Sequence, residues 1–453
     1  MLWRHLCLVR AITAAGLLTF STLGALASSE PEEPIPGADS QAETVQVLDA
    51  EKAGTLAVEV RGQGEDHVRV TIKNKSSKRL NVVLPPGLVA SSSVGQGGAA
   101  AGGGGGGFQS MGLGSVTNRS GGFGQFAGTS TSTGFRSVPP VGESATKPAV
   151  TVPAGQKVDL DIPSVCLNFG LPTPTARDRF RLVDVDDYSK DVRVRKALRA
   201  LASLGTSLGM AQATMWRVCN GVSFDMMLEQ GGKLINPYEV ALASRFLDVL
   251  DQSGEVIDPA YLSEARLFVT VEGDGQAAKD AKRLGAALEG LRVLGLPVRI
   301  SSVGEAPRTS SPAMHLGVKL STGPQGETRA RVVVQSAHGV REASDWTTLG
   351  QVNLKEMTAL SALDGPSLAE SLNRSVSSAF VTTRIVRKAN NSTTLRIENR
   401  LPFTVANLSV KTGSSVGSPI VNLSGLGVGP GRNGLATVPA ASASVDKVEL
   451  NGL

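Results

Sequence analysis

Cysteine, histidine and aromatic residues are scarce in this chain of 453 residues, and their scarcity excludes several kinds of site. Three cysteines and four histidines, with no C-x-x-C pair, do not supply the ligand clusters that a zinc site requires. Aromatic residues make up only 4% of the sequence, whereas glycine contributes 52 residues, a composition typical of short strands and turns. We therefore predict neither a metal site nor a cofactor.

A strong excess of one charge is also missing. The sequence has 45 lysines and arginines against 40 aspartates and glutamates, and the two signs are interspersed along the chain. No basic patch of the kind that binds nucleic acid or a membrane surface is visible. After residue 27, no apolar run approaches the ~18 residues that a membrane-spanning helix needs. We expect no nucleic-acid partner and no transmembrane segment.

Residues 1–27 have the three parts of a secretory signal peptide. A basic start that ends at Arg10 precedes an apolar run, and Ala25-Leu26-Ala27 fits cleavage by a signal peptidase near Ala27. The mature chain is therefore expected outside the cytoplasm: extracellular, on the cell surface or in the periplasm. Cys7 is lost with the leader. The remaining pair, Cys166 and Cys219, would by default form a disulfide in an oxidising compartment.

The next part of the chain has the pattern of a β-domain. Residues 28–44 are acidic and rich in proline, as in a linker. Apolar and polar residues alternate in short runs over residues 45–166, which predicts a β-sandwich module of the immunoglobulin-like type. A tract rich in glycine, serine and threonine interrupts this module at residues 91–146. We expect the tract to be disordered, because it has too few apolar residues to offset the entropy of ordering it.

Part of this β-pattern recurs near the end of the chain. Residues 68–84 resemble residues 394–410, with an asparagine between the two strands of each segment. The string Thr-Val-Pro-Ala also occurs twice, at residues 151–154 and 437–440. We interpret residues 389–453 as a second, related β-sandwich module, in which the two Thr-Val-Pro-Ala strings occupy equivalent strands.

Helical and mixed patterns occupy the middle of the chain. Apolar residues at helical spacing, with Ser207 as one cap and Asn236-Pro237 as the start of another helix, predict a helical bundle over residues 167–262. Residues 263–388 follow the order strand, helix, strand, then further strands and a helix, which predicts an α+β domain with parallel strands. The fold class is thus multidomain α+β, with two β-sandwich modules flanking a small helical bundle and an α+β layer.

The candidate site lies in the segment from Val165 to Cys219. On the helix that follows Ser207, five residues share one face: Leu208, Gln212, Met215, Trp216 and Cys219. Val165-Cys166 and the run Ala211-Gln212-Ala-Thr-Met215-Trp216 resemble the two motifs of the thioester domains of Gram-positive surface adhesins. That resemblance implies an acyl-bearing thiol at Cys166, a carbonyl from Gln212 and a shielding ring at Trp216. An amine on a target surface would then become covalently attached.

Three alternatives for Cys166 remain open at this point. Gln212 and Cys219 lie seven residues apart, about 10 Å along a helix, whereas a disulfide needs its two Cα atoms within about 7 Å. Cys166 therefore serves only one of them: a thioester with Gln212 or a disulfide with Cys219. In the third alternative both thiols are simply packed in a core.

These observations favour a secreted, non-enzymatic protein of the cell surface or periplasm with a binding or adhesion role. A surface protein or a glycan is the expected kind of partner. One alternative is a disulfide-stapled structural protein of the envelope without covalent chemistry. Another is a secreted hydrolase that uses Ser207, within a G-x-S-x-G string, together with His315 or His338.

Overall fold

Strands are more abundant than helices in the part of the chain that the structure describes, and the helices longer than six residues lie between residues 192 and 380. The structure is a computed structural model, which describes residues 42–92, 108–114, 149–204, 206–231, 235–253, 266–275, 277–302, 307, 309, 311–322, 328–338, 346–357, 362–389, 392–412, 419–438 and 444–451. The expected signal peptide, most of the linker and most of the glycine-rich insertion lie outside the described residues. Among the helices that are described, none has the length and apolar content needed to cross a membrane. The fold class is α+β with several sheets, as the sequence predicts.

The first β-module consists of nine strands and one short helix. In chain order they are β1 (Glu43–Gln46), α1 (Val47–Lys52), β2 (Leu56–Gly62), β3 (His67–Asn74), β4 (Leu80–Val83), β5 (Leu88–Ser91), β6 (Met111–Leu113), β7 (Ala149–Val152), β8 (Lys157–Cys166) and β9 (Arg179–Asp184). Alternate residues of β3, namely Val68, Val70 and Ile72, are fully buried. The alternation in the sequence thus correctly gives the buried face of this strand.

Six of these strands close into a barrel, which replaces the sandwich expected for residues 45–166. The order around the barrel is β2-β3-β8-β6-β5-β9, and β1, β4 and β7 form a separate three-stranded sheet. β9 closes the barrel by pairing with both β2 and β5. Its buried Phe180 and Leu182 alternate with charged residues. This strand lies in the range 167–262 that was expected to be helical, so the barrel extends the first module to residue 184.

A short part of the glycine-rich insertion belongs to the barrel. β6 lies within residues 91–146, yet it pairs with β5 and β8, and its residues are buried. A Cβ atom added at Gly112 would lie 2.7 Å from the end of the Leu198 side chain, so a larger residue here would require Leu198 to move. The expected disorder is therefore wrong for residues 108–114. The rest of the insertion lies outside the described residues.

Five helices follow the barrel: α2 (Val185–Tyr188), α3 (Val192–Leu204), α4 (Leu208–Asn220), α5 (Phe224–Gly231) and α6 (Pro237–Gln252). The caps that the sequence indicates are present. The Ser207 hydroxyl accepts a hydrogen bond from the Met210 N–H, and Asn236 and Glu239 form a reciprocal capping box at the start of α6. Gly221 ends α4 with a positive φ of 68°. α4 packs against α3, α6 and the barrel strand β8, and so lies at the centre of this region.

The next layer is a six-stranded sheet with two helices. Its elements are β10 (Leu267–Gly273), α7 (Ala277–Leu288), β11 (Arg292–Val293), β12 (Leu296–Ile300), β13 (Ala313–Thr322), β14 (Thr328–Ala337), β15 (Thr347–Met357) and α8 (Gly365–Phe380). The strand order is β11-β12-β10-β13-β14-β15. β10 is parallel to both β12 and β13, whereas β13, β14 and β15 form an antiparallel meander. The expected strand–helix–strand crossover with parallel strands is confirmed.

The second β-module contains two three-stranded sheets whose apolar faces are buried. Its strands are β16 (Val381–Ala389), β17 (Ser392–Asn399), β18 (Thr404–Lys411), β19 (Ile420–Val428), β20 (Asn433–Val438) and β21 (Ser444–Asn451). One sheet has the order β16-β17-β20 and the other β19-β18-β21, and all pairs are antiparallel. The buried residues of both sheets belong to the same large core as the helices and the α+β layer.

A fully buried asparagine makes the same contacts in both β-modules. The carboxamides of Asn74 and Asn399 each donate to the carbonyl four residues further along the chain, at 2.7 and 2.8 Å. Each also accepts from the N–H two residues further along, at 2.9 Å in both cases. The resemblance between residues 68–84 and 394–410 therefore reflects a shared turn between two strands.

The strand that returns to each asparagine is also equivalent. Asn74 donates to the carbonyl of Val152 at the end of β7, and Asn399 donates to that of Val428 at the end of β19. A glycine with positive φ follows three residues later in each case, Gly155 at 68° and Gly431 at 65°. β7 therefore corresponds to β19, and the next strands, β8 and β20, correspond to each other.

The recurrence of Thr-Val-Pro-Ala does not mark this equivalence. Residues 151–154 end β7, which pairs with β4, whereas residues 437–440 begin in β20, which pairs with β17. Val152 and Val438 thus lie in strands that are not equivalent, and the expectation that they match is wrong. The repeated tetrapeptide is therefore a coincidence of sequence. The hydrogen bonds of the two asparagines show which strands are equivalent.

We predict that Asn399→Ala lowers the free energy of unfolding by about 2–3 kcal/mol, because three buried carbonyls lose the donor that now reaches them. Urea denaturation of the mature chain measures this loss. Asn433→Ala, on the exposed face of β20, is the matched control and should change stability by less than about 0.5 kcal/mol. Equal losses in the two variants would contradict a structural role for the buried asparagine.

Candidate functional site

The candidate site lies where the barrel meets α4. β8 and α4 come together at the C-terminal end of β8, close to the middle of the helix. Gln212 and Met215 are buried on this helix, and Trp216 is half-buried. Trp216 packs against both the barrel core and the larger core that contains the helices. Of the helical stripe expected from the sequence, Gln212 and Trp216 therefore contact the barrel, whereas Met215 and Cys219 pack in the larger core.

β8 extends beyond the end of its neighbour β3, and Cys166 lies in the part of β8 that β3 no longer pairs with. The pairing of β8 with β3 ends at Pro163, and the Ser164 N–H bonds to the Asp66 carbonyl just before β3. Successive residues of a strand direct their N–H and C=O groups to opposite sides. The peptide groups of Cys166 therefore point to the side on which β3 has already ended, while those of Leu167 face the strand segment that includes Ser110.

The side chain of Gln212 continues the ladder at this point. Its Oε1 accepts from the Cys166 N–H at 2.8 Å, and its Nε2 donates to the Cys166 C=O at 2.9 Å. A carboxamide has one acceptor and a donor in the same plane, so it can replace the peptide group of a missing strand. Both residues are buried, so these two bonds satisfy groups that water does not reach. The thioester-domain resemblance implies that the two residues are close, but it does not indicate that the carboxamide bonds to the Cys166 backbone.

The Cys166 thiol points elsewhere. Its Sγ donates to the Glu65 carbonyl at 3.4 Å. Burial, followed by the charges of Glu65 and Asp66, raises the pKa of this thiol to about 12. Thioester formation requires Sγ to approach the Gln212 carboxamide carbon to about 3–3.5 Å. The Gln212 carboxamide is hydrogen-bonded to the backbone of Cys166. Rotation of the Cys166 side chain about its Cα–Cβ bond is therefore the movement that changes the distance from Sγ to the carboxamide carbon.

An aromatic pair covers the next turn of α4. Phe169, in the loop after β8, packs edge-on against Trp216 with ring centroids 5.0 Å apart. The Phe169 N–H donates to the Asn220 side chain at 3.1 Å, which fixes this loop on the C-terminal half of the helix. Trp216 therefore lies between the barrel, the loop and the helix, beside the Cys166–Gln212 contact.

Cys219 takes no part in this contact. It is half-buried on α4 and packs against the larger core. Burial raises the pKa of its thiol to about 12. Cys166 and Cys219 are both free thiols in this structure, which brings Cys166 to Gln212 and not to Cys219. The disulfide stays a prediction for the exported chain.

The residues of the hydrolase alternative do not come together in the described part of the chain. Ser207 is buried, caps α4 and lies beside the Glu239 carboxylate. The two ring nitrogens of His315 are hydrogen-bonded to Thr270 and Gln335. The ring of His338 lies tilted against that of Tyr238, with the ring centroids 4.2 Å apart. Neither histidine is hydrogen-bonded to Ser207 in the described residues, so neither is placed to act as its general base.

The sequence does not reveal an ion pair between a buried glutamate and a half-buried arginine near the start of α4. Arg432, in the turn before β20, bonds the Glu239 carboxylate through two nitrogens, at 2.5 and 3.1 Å. Asn236 also donates to the Pro430 carbonyl at 2.7 Å. The pKa of Glu239 is raised by burial, against the opposing effect of Arg432. The capping motif correctly places Glu239 on α6, but nothing local in the sequence indicates a partner 193 residues away.

We predict that Gln212→Ala lowers the free energy of unfolding by about 2–4 kcal/mol, because the buried N–H and C=O of Cys166 lose their partner. Gln212→Glu keeps an acceptor for the N–H but places a carboxylate beside the C=O. Its stability relative to the parent chain should rise as the pH falls, because the protonated carboxyl again donates. Urea denaturation at two pH values measures both effects. The exposed Gln156→Ala is the control, and a comparable loss there would contradict the role given to Gln212.

We further predict that any free thiol at Cys166 or Cys219 reacts slowly with iodoacetamide while the chain is folded. A pKa of about 12 leaves only ~1 thiolate in 10,000 at pH 8. Alkylation followed by mass spectrometry should be at least about a hundredfold slower than after unfolding in urea, and its rate should rise about tenfold per pH unit between pH 8 and 11. A rate that levels off near pH 9 would show that burial does not control the thiols.

Comparison with known proteins leaves the site to be interpreted from its geometry. Among the described residues, no group of three or more His, Cys, Asp and Glu side chains is arranged to hold a metal ion. No protein-family model matches this chain, and no curated protein matches it.

Proposed function

We propose that this chain is an exported, non-enzymatic binding or adhesion protein of the cell surface or periplasm, in which Cys166 and Gln212 form an internal thioester. The observation that supports the proposal is the buried contact of the Gln212 carboxamide with Cys166 beside Trp216. Two residues 46 positions apart, one on a strand and one on a helix, are in contact, and the thioester-domain resemblance pairs the same two residues.

The chemistry needs no cofactor. The Cys166 sulfur adds to the Gln212 carboxamide carbon, a C–S bond replaces the C–N bond, and the amide nitrogen leaves as ammonia with the thiol proton. An amine on a target then attacks the same carbon, and the thiol of Cys166 is released with a proton from the amine. A thiol of high pKa is a poor leaving group, so the pKa of about 12 favours a long-lived thioester.

A second candidate is a structural protein of the envelope without covalent chemistry. It is favoured by the hydrogen bonds of the Gln212 side chain, which already satisfy the backbone of Cys166, and by the bond from Sγ to Glu65. In that case the two hydrogen bonds of Gln212 serve only to hold the barrel against α4. A disulfide between Cys166 and Cys219 would stabilise the same structure by about 2–4 kcal/mol.

We also propose an immunoglobulin-like sandwich for residues 389–453. Two antiparallel three-stranded sheets with a shared buried core support this assignment. A module of this type suits a protein that binds other molecules at a surface, because its strands display exposed faces and edges on a rigid core. A surface protein or a glycan is the kind of partner we expect.

Intact mass and amine treatment distinguish the candidates for Cys166. Relative to the unmodified mature sequence, a thioester lowers the mass by about 17 Da through loss of ammonia, and a disulfide lowers it by about 2 Da. With a thioester, methylamine should add at Gln212 and release a thiol at Cys166. Gln212→Ala should abolish the adduct, and Cys219→Ser, the matched control, should leave it intact. An unchanged mass, with two thiols that react in urea, would contradict the thioester and support the structural role of Gln212.

A further inference from the structure

β16 has an exposed outer edge. Within the described residues it pairs only with β17, and its residues from Arg384 to Ala389 are all exposed. Two large apolar side chains stand in this stretch: Ile385 is 37% exposed and Val386 is 50% exposed. The register with β17 shifts between Ile385 and Arg387, so Val386 lies in a bulge. Apolar residues in an unpaired edge strand are unusual, because such an edge is a template for another strand.

The first β-module shows what covers the equivalent edge. β2 and β3 correspond to β16 and β17, because Val60 and Ile385 each pair with the residue four positions before the buried asparagine. Val60 is only 2% exposed. On its outer side β9 adds as a further antiparallel strand, with Phe180 paired to Val60. The same position therefore receives a strand in the first module, whereas in the second no strand of the described part of the chain pairs with it.

The charges along this edge indicate the chemistry of an added strand. Arg384, Arg387 and Lys388 lie on β16, and Arg396 is exposed on β17. Among the described residues none of the four forms an ion pair, although the carboxylate of Glu398, which is bonded to Arg400, also lies close enough for Arg384 and Arg396 to lower its pKa. Two copies of this edge would place cations beside cations, which disfavours self-pairing. A strand with acidic side chains would instead be attracted.

The face beside the edge offers room for side chains of such a strand. A shallow cleft of about 460 Å³ lies there, lined by Val386, Arg396, Asn433, Gly434 and Leu435. Alternate side chains of an added strand would project to this face of the sheet. The lining combines apolar side chains with one arginine, which suits a mixture of apolar and acidic groups.

We infer that the outer edge of β16, from Arg384 to Ala389, binds an extended segment of a partner protein in which acidic and apolar residues alternate. Backbone hydrogen bonds extend the β16-β17-β20 sheet by one strand, as β9 does for β2. Acidic side chains lie beside Arg384 and Arg387, whose pairing partners Arg396 and Thr394 share one face of β17, and apolar side chains contact Ile385 on the other face. The inference rests on the binding role proposed above and gives the class of partner, but it does not depend on the thioester.

Three fluorescein-labelled peptides of about ten residues test the inference by fluorescence polarisation with the mature chain. One alternates Glu and Val, one alternates Lys and Val, and the third is the Glu-Val peptide with a central proline that removes a backbone N–H. Only the uninterrupted Glu-Val peptide should bind. Its affinity should fall at least about tenfold between about 50 and 500 mM salt. A carbon-13-labelled carbonyl should give it the infrared shift of a β-sheet on binding.

A matched pair of variants locates the binding. Arg384→Glu with Arg387→Glu should weaken the Glu-Val peptide at least about tenfold and favour the Lys-Val peptide instead. Arg374→Glu, an exposed charge reversal on α8, should leave both affinities unchanged. Circular dichroism confirms that the variants fold, and their intact mass shows that the Cys166 region is unaffected.

Four results would overturn the inference. They are no binding of the Glu-Val peptide, equal binding of the proline-interrupted peptide, equal binding by the Arg384→Glu/Arg387→Glu variant, and a concentration-dependent dimer that this variant abolishes. The last would make a second copy of the chain the occupant. Each of these results leaves the mass of the Cys166–Gln212 pair unchanged, so failure here is separable from failure of the thioester.

Discussion

Two hydrogen bonds between the Gln212 carboxamide and the backbone of Cys166 join the barrel to the rest of the molecule. The barrel has its own apolar core, and the helices, the α+β layer and the second β-module share another. Apolar packing is non-directional and would tolerate small slides of the barrel over α4. The carboxamide is directional, since donor and acceptor must each face the matching peptide group of Cys166. The carboxamide therefore fixes the position of α4 along its own axis relative to the end of β8. Trp216 packs against both cores.

A second polar contact fixes α6 and the start of α4 against the other β-module. Glu239 is buried and Arg432 is half-buried, so removing Arg432 would leave an uncompensated charge on the buried carboxylate. Gly209 and Gly429 permit the close approach, because a Cβ at either position would meet Glu239 or Ser207. The two modules are thus each held to the helices by a buried polar group that local sequence places on a helix.

Local patterns in the sequence predicted the local parts of the structure. Caps at Ser207 and Asn236 and the parallel crossover of β10 and β12 follow from patterns within short segments of sequence. The closure of the barrel by β9 and the contribution of β6 depend on pairing between distant segments, which a short charged or glycine-flanked strand does not reveal. The same limit applies to the site. Helical spacing placed Gln212 and Trp216 on one face, but the end of β3, which exposes the Cys166 peptide groups, is a property of the folded sheet.

The two β-modules show how one arrangement of strands gives two different surfaces. Both contain the hairpin with a buried asparagine and the returning turn with a positive-φ glycine, so their central sheets are equivalent. In the first, β6 and β9 complete the sheet, and closure removes its edges. In the second, the corresponding edge of β16 keeps apolar residues that the first module buries, and surrounds them with cations. The cations oppose pairing of the edge with its own copy, and they leave the backbone groups of that edge available to a segment of opposite charge. By this inference the edge of the second module selects an added strand by its charge. The closed barrel has no free edge and so binds no strand in this way.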